Sequence, residues 1–429
     1  MKFKIVYFKI LAAICILEAL FYFSTHHSNY HPDNHINEHN ITPEERKLQR
    51  ALGKAIKEPK TILFWPGESS AEIARLQTYI DDAHSTYSPI QECGNCVFSL
   101  NQSKIEAPDT AAVIFLYKFV HPGIMPQKRR TDQLYVYWTN ESPNNLKQNH
   151  GKTFEFEDYV KFNATMTYRR DSDIYRPYIT SIFRTYKMSD LQSNDLTEIL
   201  PSKNLWAAAV VTNCKDSPSS IFRLNFIQQM MIESKGRLQT FGSCFGKVIP
   251  RTKNSIADFV KPYKFFLAFE NSYHCRDYIT EKFFQNALHG NAIPVVWGAT
   301  KEDYLEVAPP GSFIFVEDFV STKALIDYLD YLDKNDTAYL EYFRWRTMKI
   351  EEFPIFKRKH DLCQLCRIVH GINIDDIYNP NYNPESASRP LFDKSMSPRK
   401  VESLKIWFYT KENKDCFKSS FKMVNIKNG

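Results

Sequence analysis

No stretch of this chain carries a block of like charge. Its 55 basic and 49 acidic residues leave a formal net charge of +6 over 429 residues. That mild excess suits an anionic ligand and gives no support to nucleic-acid binding. No G-x-S-x-G, Walker A, G-x-G-x-x-G or H-E-x-x-H pattern occurs, so serine hydrolase, P-loop kinase and zincin readings lose their usual support. Internal repeats and low-complexity blocks are also missing. What is present is a hydrophobic fraction of 43% and an aromatic fraction of 14%, the makeup of a globular protein with large cores. The length allows two ordinary domains plus extras.

The N-terminus departs from soluble composition. Ile5 to Phe23 is apolar apart from Lys9 and Glu18, and Lys2 and Lys4 precede it. A membrane span needs about 20 such residues, and the flanking lysines place the N-terminus in the cytosol. No small-residue cleavage site stands near Ser24, which favours an uncleaved anchor over a signal peptide. Of nine cysteines, Cys15 falls in this segment. The close pairs Cys93/Cys96 and Cys363/Cys366 fit either a zinc site or disulfides. The sequons at Asn40, Asn101, Asn163 and Asn335 point to glycosylation. A fifth, at Asn140, is disfavoured by Pro143. With an anchor upstream, these sequons indicate a secretory lumen, where disulfides are expected.

The most informative stretch runs from Tyr263 to Gly298. Two apolar runs, Tyr263 to Phe269 and Ala292 to Trp297, read as buried strands of a covered parallel sheet. Between them Glu281 to His289 has helical spacing, with Thr280 able to cap it and Gly290 able to stop it. The polar loop from Glu270 to Thr280 follows the first strand, where open α/β sheets bind ligands. Lys282 falls in the first helical turn, which favours anions. The unit is therefore expected to bind a phosphorylated ligand.

The rest of the chain repeats this alternation. His26 to about Lys60 is a polar stem, with a helical patch around Glu44 to Ile56. Thr61 to Trp65, Ala111 to Val120, Leu134 to Trp138 and Thr165 to Tyr168 read as strands of a first domain. Leu205 to Thr212, Leu238 to Phe241 and Ser312 to Val316 read as strands of a second. Ser217-Pro218 opens a helix reaching about Ser234, and Ser321 to about Lys334 reads as another. Two doubly wound domains in tandem would face each other across a cleft suited to a donor and an acceptor. The tail from Gly371 is polar, with an apolar island at Leu404 to Tyr409.

Arg223 and Lys282 are the candidate phosphate clamps, though lone basic residues on helices are usually just solvated. Glu281 could accept hydrogen bonds from ligand hydroxyls. Glu141, after a buried strand and before Ser142-Pro143, could act as a general base. Asp171-Ser-Asp173 has the D-x-D spacing that holds a divalent metal and a nucleotide sugar in one class of glycosyltransferases, but Arg169 and Arg170 suggest ion pairing instead. Asp327, Asp330 and Asp333 mark the solvated face of a helix. His26 and His27 are polar filler.

Phe269 to Gly298 (FENSYHCRDYITEKFFQNALHGNAIPVVWG) closely resembles the signature of α-1,3-fucosyltransferases, glycosyltransferase family 10. WTNESP (Trp138 to Pro143), TYRRDSD (Thr167 to Asp173), Trp206 to Cys214 and CQLC (Cys363 to Cys366) resemble its other landmarks, in order. Cys275 in the HCRDY loop is similar to invertebrate-type and plant members that fucosylate N-glycan cores. The resemblance implies an α/β fold of two Rossmann-like domains facing a cleft, of GT-B type, in a Golgi type II membrane protein. Expected divisions are an anchor at 1–24, a stem at 25–60, an acceptor-side domain at 61–202 and a donor domain at 203–350. A CxxC segment at 351–370 should pack back on the first domain, followed by a tail at 371–429.

The implied reaction moves fucose from GDP-fucose to the 3-hydroxyl of an N-acetylglucosamine in a glycan acceptor. Glu141 matches the family's base, and Arg223 and Lys282 its phosphate-gripping residues. Asn271, Tyr278 and Glu281 match positions lining the donor site, with Tyr168 near it. The resemblance also implies bonding of Cys93 and Cys96 with Cys363 and Cys366, and of Cys214 with Cys244, while Cys275 and Cys416 have no assignable partner. No metal is obligatory; a divalent cation, Mn or Mg, is at most stimulatory. A homodimer is compatible with this reading. A catalytically inactive Golgi membrane protein that binds glycan or nucleotide, and a transferase for another nucleotide sugar, are the rival readings.

Overall fold

The computed structural model describes residues 52–65, 70–82, 90–117, 120, 122–149, 160–181, 191–214, 217–250, 255–349, 353, 361–372, 404–409 and 416. The anchor, Cys15, nearly all of the stem and the sequon at Asn40 lie outside them. None of the described helices is long and apolar enough to cross a membrane. The described residues fall within one compact unit beginning at Ala51.

Among the described residues, eleven strands form two sheets, each entirely parallel. β1 (Lys60–Trp65), β2 (Cys96–Ser99), β3 (Thr110–Leu116), β4 (Leu134–Thr139), β5 (Ala164–Thr167) and β6 (Ile174–Tyr175) lie in the order β2-β1-β3-β4-β5-β6. β7 (Leu205–Val210), β8 (Leu238–Phe241), β9 (Tyr263–Phe269), β10 (Ile293–Trp297) and β11 (Ile314–Phe315) lie in the order β11-β10-β9-β7-β8. Every residue of β10 is buried, as is every residue of β9 but Lys264. Continuous apolar strands of this kind belong to a sheet covered on both faces. In the second sheet the order reverses between β7 and β9. That switch point opens a crevice at the strands' carboxyl ends.

Several elements differ from expectation in instructive ways. The Ala111–Val120 run stops being a strand at Leu116, and Ser312–Val316 shrinks to two paired residues. The helix after β9 is a π-helix, Lys282–Leu288, with Glu281 at its N-cap and no side-chain cap. Thr280 stands one residue before the N-cap: its hydroxyl donates to Glu270 at 2.9 Å, and its oxygen accepts from the Lys282 N–H at only 3.5 Å. Gly290 does not supply a left-handed stop; Asn291 takes that conformation, with φ of 55°. Gly290 is needed for close approach instead, since a Cβ there would lie 2.3 Å from the Asn286 carbonyl oxygen. The Ser217-Pro218 start fits the Pro218–Glu233 helix, where the Ser217 hydroxyl accepts from the Ser220 N–H.

The glycosylation expectation at Asn163 is overturned. This side chain is 2% exposed, and its Oδ1 accepts from the Tyr135 N–H and the Arg129 guanidinium. A glycan on its Nδ2 would need room that a side chain this buried does not have. Asn101 is exposed and Asn335 half-buried, each with its oxygen capping a short helix.

Four disulfides bind the fold: Cys93–Cys363, Cys96–Cys366, Cys214–Cys244 and Cys275–Cys416. The last pairs the two cysteines that had no assignable partner. The Asp361–Val369 helix, carrying Cys363 and Cys366, is buried along its whole length and joins the first sheet's core with Ile62, Phe64 and Trp138. Each of the first two bonds spans 270 residues, a closure worth ~5 kcal/mol in the chain-entropy account. Either bond alone keeps that loop closed. Serine replacement of one pair should therefore lower stability little, and replacement of both should cost more than the sum. Urea unfolding of the three variants measures this, and simple additivity would contradict it.

Candidate active site

The β9–β10 connection places its polar groups by burying one carboxylate. Glu270, the residue after β9, has no exposed surface. It accepts from the Thr280 N–H at 2.9 Å, from the Thr280 hydroxyl and from the Lys282 ammonium at 3.0 Å. Gly298, after β10, must be glycine here: its φ is +132°, and a Cβ would stand 2.5 Å from the Glu270 Cβ. Burial pushes the Glu270 carboxyl above its ordinary value, opposed by Lys282.

All three ammonium protons of Lys282 can be accounted for. Its Nζ also donates to the Thr280 hydroxyl at 2.8 Å and to Glu281 at 3.2 Å. Burial pulls the Lys282 pKa down, but Glu270 and Glu281 outweigh it and hold it above normal. Burial opposes ionisation of Glu281 as well, yet Lys282 keeps its carboxyl below normal. A phosphate reaching Lys282 would displace one of these oxygens. Glu281, whose side chain is 41% exposed, is the one free to swing away.

Arg223 sits at the switch point. Its guanidinium donates to the carbonyls of Asn213 (2.5 Å) and Phe269 (3.3 Å), tying the chain beyond β7 to the carboxyl end of β9. It is 2% exposed, so it holds the crevice together as well as charging it. The Asn271 carbonyl accepts from Ser217 at 3.2 Å, fixing the loop to the start of the Pro218–Glu233 helix.

The first sheet contributes Glu141, just beyond β4. Its carboxylate is partly exposed and accepts from the Asn145 amide. The Tyr278 hydroxyl, from the β9–β10 loop, reaches it at 3.5 Å. Next to it Ser142 and Ser272 join hydroxyls at 2.5 Å, linking the two sheets' loops directly. Tyr278 packs edge-on against Tyr168 and Tyr178, at 5.0 and 6.0 Å between centroids. Burial, then the charges of Glu141, Glu281 and Glu270, raise the Tyr178 hydroxyl well above normal. Burial, then Tyr178 and the same carboxylates, do so for Tyr278. Both phenols therefore stay protonated donors. Glu141, Tyr168, Tyr278, Glu281 and Lys282 thus share one neighbourhood.

Glu270, Tyr178 and Thr280 were missed as site residues by sequence reasoning. Only Glu270 carried a signal, a carboxylate ending an otherwise apolar strand. The D-x-D residues are committed elsewhere: Asp171 to Arg169 and Arg276, and Asp173 to the Thr165 N–H and hydroxyl. Among the described residues, Cys96, Cys366 and His370 cluster closely enough to share an ion, but the two sulfurs are bonded to each other.

A second contact ties the domains. Arg170 pairs with Asp277 at 2.6 Å, Asp303 at 3.2 Å and Glu306 at 3.1 Å.

Two parallel α/β layers with a charged crevice at their strand ends define an enzyme of the nucleotide-dependent α/β class. Residues 57–179 match the family model "Fucosyltransferase, N-terminal", and residues 200–380 match "Glycosyltransferase family 10 (fucosyltransferase) C-term". The chain belongs to glycosyltransferase family 10. It is 35% identical to the Bos taurus 3-galactosyl-N-acetylglucosaminide 4-alpha-L-fucosyltransferase FUT3, over 59% of this chain and 64% of that protein. To the Mus musculus 4-galactosyl-N-acetylglucosaminide 3-alpha-L-fucosyltransferase 9 it is 35% identical, over 56% and 61%. To the Gorilla gorilla gorilla 4-galactosyl-N-acetylglucosaminide 3-alpha-L-fucosyltransferase FUT5 it is 32% identical, over 70% and 73%. The match thus spans under two thirds of the first two relatives. A crystal structure of an alpha1,3-fucosyltransferase with GDP aligns over 78% of this chain and 99% of its own, at 18% identity and a TM-score of 0.48.

Burial and the neighbouring Asp277 push the Asp303 carboxyl up to about 6, against hydrogen bonds from Thr300 and the charge of Arg170. A folded-state pKa above the unfolded one adds stability that is complete below the unfolded value and is lost as pH rises through about 6. Asp303→Asn removes this loss, so the variant should gain stability relative to the parent between about pH 5 and about pH 7.5. Urea midpoints at the two pH values test it; an unchanged difference would contradict it.

Proposed function

We propose that this chain is an invertebrate-type α-1,3-fucosyltransferase of GT-B architecture. It transfers L-fucose from GDP-β-L-fucose to the 3-hydroxyl of an N-acetylglucosamine in a glycoprotein glycan. Family membership supports the donor and the reaction class. The observation that carries the mechanism is the Glu141–Tyr278 contact, which sets a carboxylate of one domain beside the Glu270–Lys282 cluster of the other. The Cys275 loop supports the invertebrate-type assignment.

In this mechanism the acceptor oxygen attacks the sugar's anomeric carbon from the face opposite GDP. Glu141 takes the hydroxyl proton, the carbon–phosphate oxygen bond breaks, and the configuration inverts. Tyr278 keeps the carboxylate oriented. Glu281 accepts from fucose hydroxyls once it leaves Lys282. Lys282, the charge of Arg223 and the N-terminus of the Pro218–Glu233 helix offset the charge developing on GDP. These groups do so without an obligatory metal, a divalent cation such as Mn or Mg being at most a stimulant. Asn271 and Tyr168 complete the donor wall. The apolar N-terminal run supports a single-pass type II protein with its catalytic part in the Golgi lumen. Disulfides and sequons are compatible with that compartment.

The deciding experiment is incubation of the protein with GDP-fucose and a defined N-glycan panel, read by mass spectrometry with linkage analysis. The bovine relative's name specifies a 4-linkage and the mouse relative's a 3-linkage, so product linkage discriminates directly. No transfer to any member would defeat the proposal.

Glu141→Gln should lower kcat by ~10²- to 10⁴-fold with GDP affinity intact; a fully active variant would remove Glu141 from the role of base. Lys282→Ala alone strands a buried carboxylate and should cost ~3–5 kcal/mol of stability. The pair Lys282→Met with Glu270→Gln avoids that loss. It should still bind GDP more weakly in calorimetry, and unchanged affinity would rule out the clamp.

A further inference from the structure

The family match ends at residue 380, yet the described part of the tail is built into the site. Leu404 and Phe408 are buried in the same core as Tyr168, Cys275 and Tyr278. The Trp407 ring lies against the Arg169 guanidinium, 4.3 Å from Cζ to the ring centroid. Its carbonyl accepts from Arg169 Nη1 at 3.0 Å. Cys416 is bonded to Cys275.

These contacts converge on four consecutive residues of the β9–β10 loop. Cys275 is anchored covalently to the tail. Arg276 donates to Asp171 at 2.7 Å, and Asp171 is gripped in turn by Arg169 at 2.6 and 2.8 Å. Asp277 accepts from the Arg170 N–H at 2.9 Å and from its Nε at 2.6 Å. The next residue is Tyr278, whose hydroxyl reaches Glu141. The tail thus holds both ends of the arrangement. It clasps Arg169 in the first domain and Cys275 in the second, immediately behind the aromatic pair that meets the base.

We infer that the C-terminal tail is a positioning strap: Trp407 and the Cys275–Cys416 bond hold the 275–278 loop so that Tyr278 orients Glu141. This rests on the reading of Glu141 as the base. The tail holds Arg169 and Cys275, whereas Lys282 is held by Glu270, Thr280 and Glu281 and Arg223 by the Asn213 and Phe269 carbonyls. Loosening the strap should therefore affect the chemical step more than donor binding. A misplacement of the base by about 1 Å can cost up to ~10²-fold.

The test compares full-length parent, Trp407→Ala, Trp407→Phe, Cys416→Ser and Glu141→Gln, using the acceptor identified in the glycan panel. Active molecules are counted by calorimetric titration with GDP. The strap requires kcat per GDP-binding molecule to fall about tenfold or more in Trp407→Ala and Cys416→Ser. KM for GDP-fucose should stay within about twofold, and Trp407→Phe should recover much of the rate. A full kcat per GDP-binding molecule in the tail variants would overturn the inference, because the tail would then serve only folding. Should Trp407→Ala not fold, Cys416→Ser decides alone, since it leaves the Leu404 and Phe408 packing in place. Activity in Glu141→Gln would overturn base and strap together; a dead Glu141→Gln beside fully active tail variants would overturn the strap alone.

Discussion

The arrangement of this site depends on a carboxylate that has no water. Glu270 lies at the end of a buried strand, where an ionised group is costly unless it is both paired and hydrogen-bonded. Thr280 and Lys282 meet that need, and in doing so they fold the intervening loop back on itself. The loop cannot relax without exposing or orphaning the charge. It therefore presents Tyr278 as a fixed feature. The same requirement draws Thr280 to Glu270, one residue before the Glu281 N-cap of the following helix. It also explains Gly298, where the neighbouring strand end must pass within reach of the Glu270 side chain.

A site built this way is shared by two sheets. Glu141 stands on a loop of the first, while the charged cluster stands on the second. The ties between them differ in kind. Ser142 with Ser272 is a neutral hydrogen bond, Arg170 with Asp277 and Asp303 is an ion cluster, and the tail adds a bridge that is covalent at Cys275 and non-covalent at Arg169. Of these, the ion cluster responds most to conditions, since one half-buried arginine is shared by several carboxylates. The covalent link responds least. Closure of the cleft is thus held by contacts of graded strength, all converging on the short stretch before Tyr278.

Much of the fold was legible because parallel strands covered on both faces must be continuous apolar runs. β1, β4, β8, β9 and β10 could each be read within about a residue from such runs, and β7 within two. The Pro218–Glu233 and Thr322–Lys334 helices announced themselves through Ser217 and Ser321 at their starts. Legibility failed where local pattern and tertiary demand diverged. Nothing local marks Lys282–Leu288 as a π-helix rather than an α-helix. β3 ends at Leu116, short of the expected end at Val120. Asn163 has a perfect acceptor motif and yet lies inside the fold, because a sequon is a three-residue pattern and burial is not.

The order of elements, the apolar strands, the polar loops and the placing of Glu141, Glu281 and Lys282 at strand and helix ends follow from the chain alone, because strand burial and helix starts are local properties. The partners of those residues do not. That Lys282 answers first to Glu270, that Arg223 spans two backbone carbonyls, and that Cys275 finds Cys416 across 141 residues depend on which sheet edges meet. Packing of separate elements makes those choices, since the desolvation of a charge or the closure of a disulfide is set by what lies across the cleft and not by what lies next in the chain.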